Sequence, residues 1–328
     1  YEGGTVYQQT VPPSYVGFAM QLEAERMRRL RLQADTVASA RRVVMQERRR
    51  GVDVSAVGKA LELFRATAFE SHPYRWTAVG DADDLQRIAV ADCQRFYDLH
   101  YVPSNATLIV VGDVREADVR KLAQTHFGPL PKQALARRNI PNEQPQTAAR
   151  HKTITHEIEL PVSMGGFHIP GARHPDVPAL RVLSAVLSQG ESSRLYQRLV
   201  RQDRVAVGAG GFIDTFEQSG LFVVFAAHLP DRDPNLIREA LLNEIADVRA
   251  RGISAEELNL AKDQLAARHN QGLETVDGIA AQLGEAEYVE GDWRRFDKGA
   301  ARYLAVTLDD VKTVAKRYLV QTGWTLVS

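Results

Sequence analysis

The chain repeats itself, and that constrains its fold more than any other feature. The stretch 4–110 can be laid on 220–327. Gly4–Pro12 matches Gly220–Pro230, and both read as strand-like runs ended by proline. Amphipathic helices follow, Val16–Leu30 and Pro234–Arg251. Gln33–Gly51 then aligns without gaps on Ser254–Gly272. Both segments read as helices ending near a glycine, and Ser254 with Glu257 forms a capping-box pattern. Finally Val90–Val110 resembles Thr307–Val327. Each is a helix with an early Asp (Asp92, Asp309) that ends in Tyr (Tyr101, Tyr318) and leads into a strand, Ala106–Val111 or Trp324–Val327. A chain built this way is α+β, with two homologous α/β domains whose sheets pack against helices.

The boundary falls where periodicity fails. Pro129, Pro131, Pro141 and Pro145 lie among Gln, Asn and Thr, with no apolar period. The reading is a first domain at 1–135, a linker at 136–150 and a second domain at 151–328. The second domain opens with a strand at Ile154–Leu160, then Ser163–His168, the helix Val177–Leu187, and Ser192–Val200. About 70 residues (150–219) thus precede its repeated part and have no counterpart in the first domain. A half-domain without them could not close its core. The expectation is a similar stretch upstream of Tyr1. The opening Tyr1-Glu2-Gly3-Gly4 is neither a signal peptide nor an initiator, so the chain reads as processed or missing its beginning.

Composition excludes several classes. Lys plus Arg and Asp plus Glu balance at 41 each, which argues against a general nucleic-acid or acidic-surface binder. The local crowd of Arg41, Arg42, Arg48, Arg49 and Arg50 reads as a solvated helix face. Cys93 is the only cysteine, so neither a disulfide within the chain nor a cysteine zinc site is possible. No apolar run is long enough to span a membrane.

Five motifs in order carry a resemblance: Leu22-Glu-Ala-Glu-Arg-Met27, Val43-Val-Met-Gln-Glu-Arg48, Phe69-x-x-His-Pro-Tyr74, Tyr101–Asp113, and Gly190-Glu-Ser-Ser-Arg-Leu-Tyr196. Together they resemble the M16 (pitrilysin/insulinase-like) zinc metallopeptidases across nearly the whole chain. The family binds zinc through a His-x-x-Glu-His helix and a Glu roughly 75 residues on. Two imidazoles one helical turn apart face the same side, and a distant carboxylate completes three ligands. The Glu inside the motif takes a proton from the metal-bound water.

The resemblance places the distal ligand on Glu47, whose repeat counterpart is Arg268, so the shared fold does not require a carboxylate there. The general-base Glu would lie upstream of Tyr1, and no catalytic residue is assigned within the chain. None of the nine histidines makes an i, i+3 or i, i+4 pair. His72 reads as a loop packing residue. Ala40 stands where the family often has a second Glu.

The family's second half often offers an Arg-x6-Tyr pair to the substrate backbone. Here Arg201 is followed at that spacing by Gly208, and the neighbouring frame gives Val200 and Val207. The resemblance therefore implies a zinc-bearing subunit whose homologous partner supplies the pair, a homodimer being possible. The implied reaction is hydrolysis of peptides or unfolded polypeptides inside a clamshell chamber. Substrate would add a strand to a sheet edge beside Gly4–Val11. Gly208–Gly211 reads only as a strand or turn of small residues. The alternative is a non-catalytic structural or substrate-binding subunit of a heteromeric complex. The expected compartment is the bacterial periplasm, with cytoplasm or mitochondrial matrix as alternatives. Zinc is the expected cofactor, yet one carboxylate cannot hold it against water. The polypeptide as given should therefore be inactive and bind zinc poorly.

Overall fold

A computed structural model describes residues 4–135, 139–154, 160–229 and 231–328. Twelve α-helices are assigned among them. They are α1 (Val16–Arg28), α2 (Ala34–Arg48), α3 (Ala56–Ala68), α4 (Ala82–Arg87), α5 (Val90–His100) and α6 (Glu116–Phe127), then α7 (Val177–Ser188), α8 (Pro234–Arg251), α9 (Ala255–Gln271), α10 (Val276–Tyr288), α11 (Ala301–Leu304) and α12 (Leu308–Tyr318). The strands are β1 (Arg150–Lys152), β2 (Val162–Pro170), β3 (Gly208–Thr215), β4 (Ser219–Ala227) and β5 (Thr325–Val327). They form one five-stranded sheet in the order β1-β5-β2-β4-β3. Only the β1–β5 pair is parallel.

The chain divides into two compact units that are not contiguous in sequence. The first comprises Tyr1–Arg48, Ala78–Ile140 and Leu273–Gly284. The second comprises Arg49–Thr77, Pro141–Gly272 and Glu285–Ser328. The exchange is reciprocal. In the repeat α3 follows α2 as α10 follows α9, and α3 belongs to the second unit while most of α10 belongs to the first.

The second unit holds the sheet. Strand periodicity sends alternate side chains to opposite faces. Phe167 and Ile169 of β2 join Phe222, Val224 and Ala226 of β4 on one face, against the buried sides of α7, α8, α9 and α12. Val162 and Met164 join Leu221, Val223 and Val327 on the other, where Ala60, Phe64, Ala68 and Phe69 from α3 and its end cover them. Phe64 and Phe69 are fully buried, each stabilising by about 2–3 kcal/mol through apolar area removed from water. Two adjacent glycines of β2 make both packings possible. A Cβ on Gly165 would lie 2.1 Å from the Trp324 ring, and one on Gly166 would lie 2.3 Å from Phe222 O and 2.9 Å from Phe64.

In the first unit the helices lock through side chains. The Tyr97 hydroxyl of α5 donates to Arg26 O at 2.6 Å and accepts from Leu30 N at 3.2 Å, closing the end of α1. Tyr7 and Tyr101 share a hydroxyl–hydroxyl bond of 2.6 Å. Thr10 donates to Asp277 at the start of α10.

Several expected strands differ. The residues 4–12 and 106–111 form no strand among the described residues, because a strand exists only in a ladder with a neighbour. The strand expected at Ile154–Leu160 falls mostly on 155–159, outside the described residues; Ile154 and Leu160 are themselves not in a strand. Ser192–Val200, to which the sequence assigned no element type, runs into a π-helical turn, Tyr196–Gln202.

Candidate functional site

Glu47 is the penultimate residue of α2. Helical spacing puts Thr36, Ala40, Val43 and Glu47 on one stripe, and all four are exposed, Val43 at 62%. The adjacent stripe carries Arg41 and Arg48, seven residues apart. Arg48 donates Nη1 to Gly80 O at 2.5 Å. Arg41 donates Nη1 to Gln86 O at 3.0 Å and Ile88 O at 3.1 Å. Those carbonyls bracket α4, so one arginine grips each end of that short helix. The Arg41 charge also suits the negative end of the α4 dipole. The pair fixes the rotation of α2 about its axis and turns the Ala40–Glu47 stripe outward.

This corrects the reading of the arginine crowd as a uniformly solvated face. Arg42, Arg49 and Arg50 are exposed, but Arg41 is half-buried and Arg48 is 4% exposed. Their guanidinium donors serve backbone carbonyls rather than water. Sequence reasoning missed this role. The spacing of seven was the available signal, since it places both arginines on one side of the helix.

Glu47 has no hydrogen bond or ion pair to another described residue, although Arg50 lies one turn further on. Its carboxylate is therefore a free acceptor. Among the described residues no three His, Cys, Asp or Glu side chains gather where they could hold a metal ion. The described residues alone thus do not fit a zinc ion.

His72 is buried at 2% exposure. Its Nε2 meets Gln218 Oε1 at 2.9 Å and its Nδ1 accepts from Tyr74 N at 3.2 Å, so both ring nitrogens serve packing. Arg201 pairs with Glu191 at 3.0 Å on the surface. Gly208–Gly211 begin the edge strand β3. The partly buried network in the 190–196 motif centres on Arg194. Its Nε and Nη2 meet the two carboxylate oxygens of Glu257 at 2.5 and 2.8 Å, and Nη1 reaches Asp247 at 3.0 Å. The bond to Glu257 is the main cause holding the guanidinium above its usual value, and the same bond holds the Glu257 carboxyl below the usual carboxylate range.

Residues 87–265 match the family described as Peptidase M16 inactive domain, more than half of the chain. The chain belongs to the M16 peptidase family. Zinc protease PqqE of Helicobacter pylori is 31% identical over 319 residues, covering 94% of this chain and 70% of that protein. The beta subunit of mitochondrial-processing peptidase from Lentinula edodes is 23% identical over 341 residues, covering 99% and 72% respectively. The crystal structure of a protease from Helicobacter pylori superimposes with a TM-score of 0.88 at 29% identity, covering 96% of this chain and 76% of that one. Glu47 lies outside the matched inactive domain, on the part of the M16 chain that precedes it.

Proposed function

We propose that the chain is a subunit of a zinc-dependent metalloendopeptidase that hydrolyses peptides in a clamshell chamber, with Glu47 as the metal ligand it contributes. In this reading residues 1–135 and 151–328 descend from one M16-like domain, are joined by 136–150, and have exchanged one helix each. The observation that carries the proposal is the state of Glu47. It is an exposed carboxylate without a partner among the described residues, on a helix whose rotation two arginines fix. It sits where the family resemblance puts the distal zinc ligand. This reading requires further ligands and a general base that the described residues do not provide. A homologous partner subunit supplies the Arg/Tyr pair that Arg201 and Gly208 do not form. The peptidase names of the relatives support the chemistry, and the word subunit in one of them supports a partner.

A second reading has its own support. The matched domain is described as inactive, and no metal-holding cluster exists among the described residues. In that reading the chain is a non-catalytic structural or substrate-binding subunit of a heteromeric complex.

Metal analysis of the full gene product, purified with any homologous partner, separates the two. The peptidase reading expects about one zinc per subunit, chelator-sensitive cleavage of an unfolded peptide, and loss of most of the zinc in Glu47→Gln. Zinc absent from the wild-type complex, or unchanged in the variant, would favour the non-catalytic reading.

A further inference from the structure

The turn that follows α3 is held by three side chains, all from the stretch 143–168. Glu143 Oε1 accepts from Glu70 N, and its Oε2 accepts from Ser71 N and His72 N, each at 2.9 Å. Three consecutive backbone N–H groups aimed at one carboxylate form an anion nest. Arg150 Nη1 donates to Thr67 O at 3.0 Å and to Ala68 O at 2.7 Å, and its Nη2 meets Glu70 Oε1 at 2.9 Å. His168 Nε2 lies 2.8 Å from Ala68 O, which can only accept, so Nε2 carries the proton. Its ring stands edge-on to Phe69, with centroids 4.7 Å apart. The last carbonyls of α3 and the next amides are thus satisfied from outside the helix.

We propose that Glu143, Arg150 and His168 form an acid-sensitive latch that fastens the C-terminal end of α3 to the sheet. Glu143 belongs to the stretch between the sequence repeats, so this stretch is a fastener as well as a connection. Two members of the latch titrate in the same sense. Burial holds the His168 imidazole below its ordinary 6.5, outweighing its bond to Ala68 O. Burial pushes the Glu143 carboxyl up, but the three N–H bonds outweigh it and hold the group below its ordinary 4.5.

For His168 the unfolded or released turn takes up the proton first, so stability is lost as pH falls from 6.5 toward its folded value. For Glu143 the stability is present above 4.5 and is lost as pH falls through its folded value. The charged groups facing this pair are Arg150, which disfavours a protonated His168, and the Glu143 carboxylate itself, which favours it. Glu70 faces Arg150, and Arg75 reaches Glu70 O. On the far side of the turn the polar partner is Gln218, on His72.

The latch does not depend on the reading of Glu47. Hydrogen exchange of the full chain, corrected for intrinsic exchange rates, tests it with two probes: the segment 66–72 and, as control, the β4 segment 219–227. Between about pH 7 and pH 4 the first should lose roughly tenfold or more in protection while the second holds. Glu143→Gln should show the reduced protection of 66–72 already at neutral pH. Constant protection of 66–72 across the series overturns the latch. So does simultaneous loss in both segments, which would be global unfolding, or unchanged protection of 66–72 in folded Glu143→Gln. If the variant does not fold, the wild-type pH series decides alone.

Discussion

At the scale of single residues, the side chains that matter most here end on backbone or on a forked partner. Arg194 is the clearest case, because one guanidinium joins Glu257 at the start of α9, Asp247 in α8 and the carbonyl of Gly252 between them. Arg194→Ala should destabilise the protein by about 2–3 kcal/mol, since both carboxylates are partly buried and lose a paired charge. Arg194→Lys should recover less than half, because an ammonium cannot span both oxygens of Glu257. Thermal melts of the two variants check the order; equal melting points for Lys and Arg would remove the forked geometry from the explanation. Glu257 adds a pH dependence. Its carboxyl is held below the ordinary 4.5, so its contribution is complete above that value and is lost as pH falls through the folded one. Such residues were only partly legible in the sequence. The motif around Arg194 could be read from resemblance, and His72 from its place before Pro73; the ligand role of Glu47 remains a proposal. The spacing of seven puts Arg41 and Arg48 on one side of the helix but does not say which side faces inward, because a run of arginines looks the same whether its donors meet water or carbonyls.

At the scale of elements, helices were legible and several strands were not. Ser254 and Glu257 announce the start of α9, and the structure has the reciprocal bonds, Glu257 N to Ser254 Oγ at 3.1 Å and Ser254 N to Glu257 Oε2 at 2.7 Å. Helix signals are local, so a single segment contains them. A strand is defined by a partner that can be far away in sequence, and 4–12 and 106–111 are in no strand among the described residues. The element whose loss should be felt most is α3, the helix that covers one sheet face. Phe64→Ala should cost about 3–5 kcal/mol by lost burial and the cavity left against Gly166. Chemical denaturation would show it as a lower midpoint with an unchanged slope. A changed slope would mean instead that α3 had left the sheet and that the folded state itself was different.

At the scale of the whole molecule, the repeat announces two similar domains, and the compact units add an exchange that no linear reading of a repeat contains. Repeats are detected by laying one stretch of chain on another, which says which residues are equivalent but not which core each one joins. Here α3 lies in the first repeat and covers the sheet built by the second. The consequence is a test by dissection. A fragment beginning at residue 151 keeps β2–β5 and all but the first residue of β1 yet lacks α3, so Val162, Met164, Leu221, Val223 and Val327 would meet water. Exposing a contiguous apolar face of this kind drives association or a loosely packed state. A fragment beginning at Arg49 restores α3 and the Glu143 contacts and should be more soluble, melt cooperatively and protect the β4 amides from exchange. Both fragments carry the same helices on the opposite face, so the comparison tests α3 together with the Glu143 and Arg150 contacts that hold its end. If the shorter fragment melted as cooperatively as the longer one, the sheet would be stable with one face bare, and the exchanged helix would be an ornament of the fold rather than part of its core.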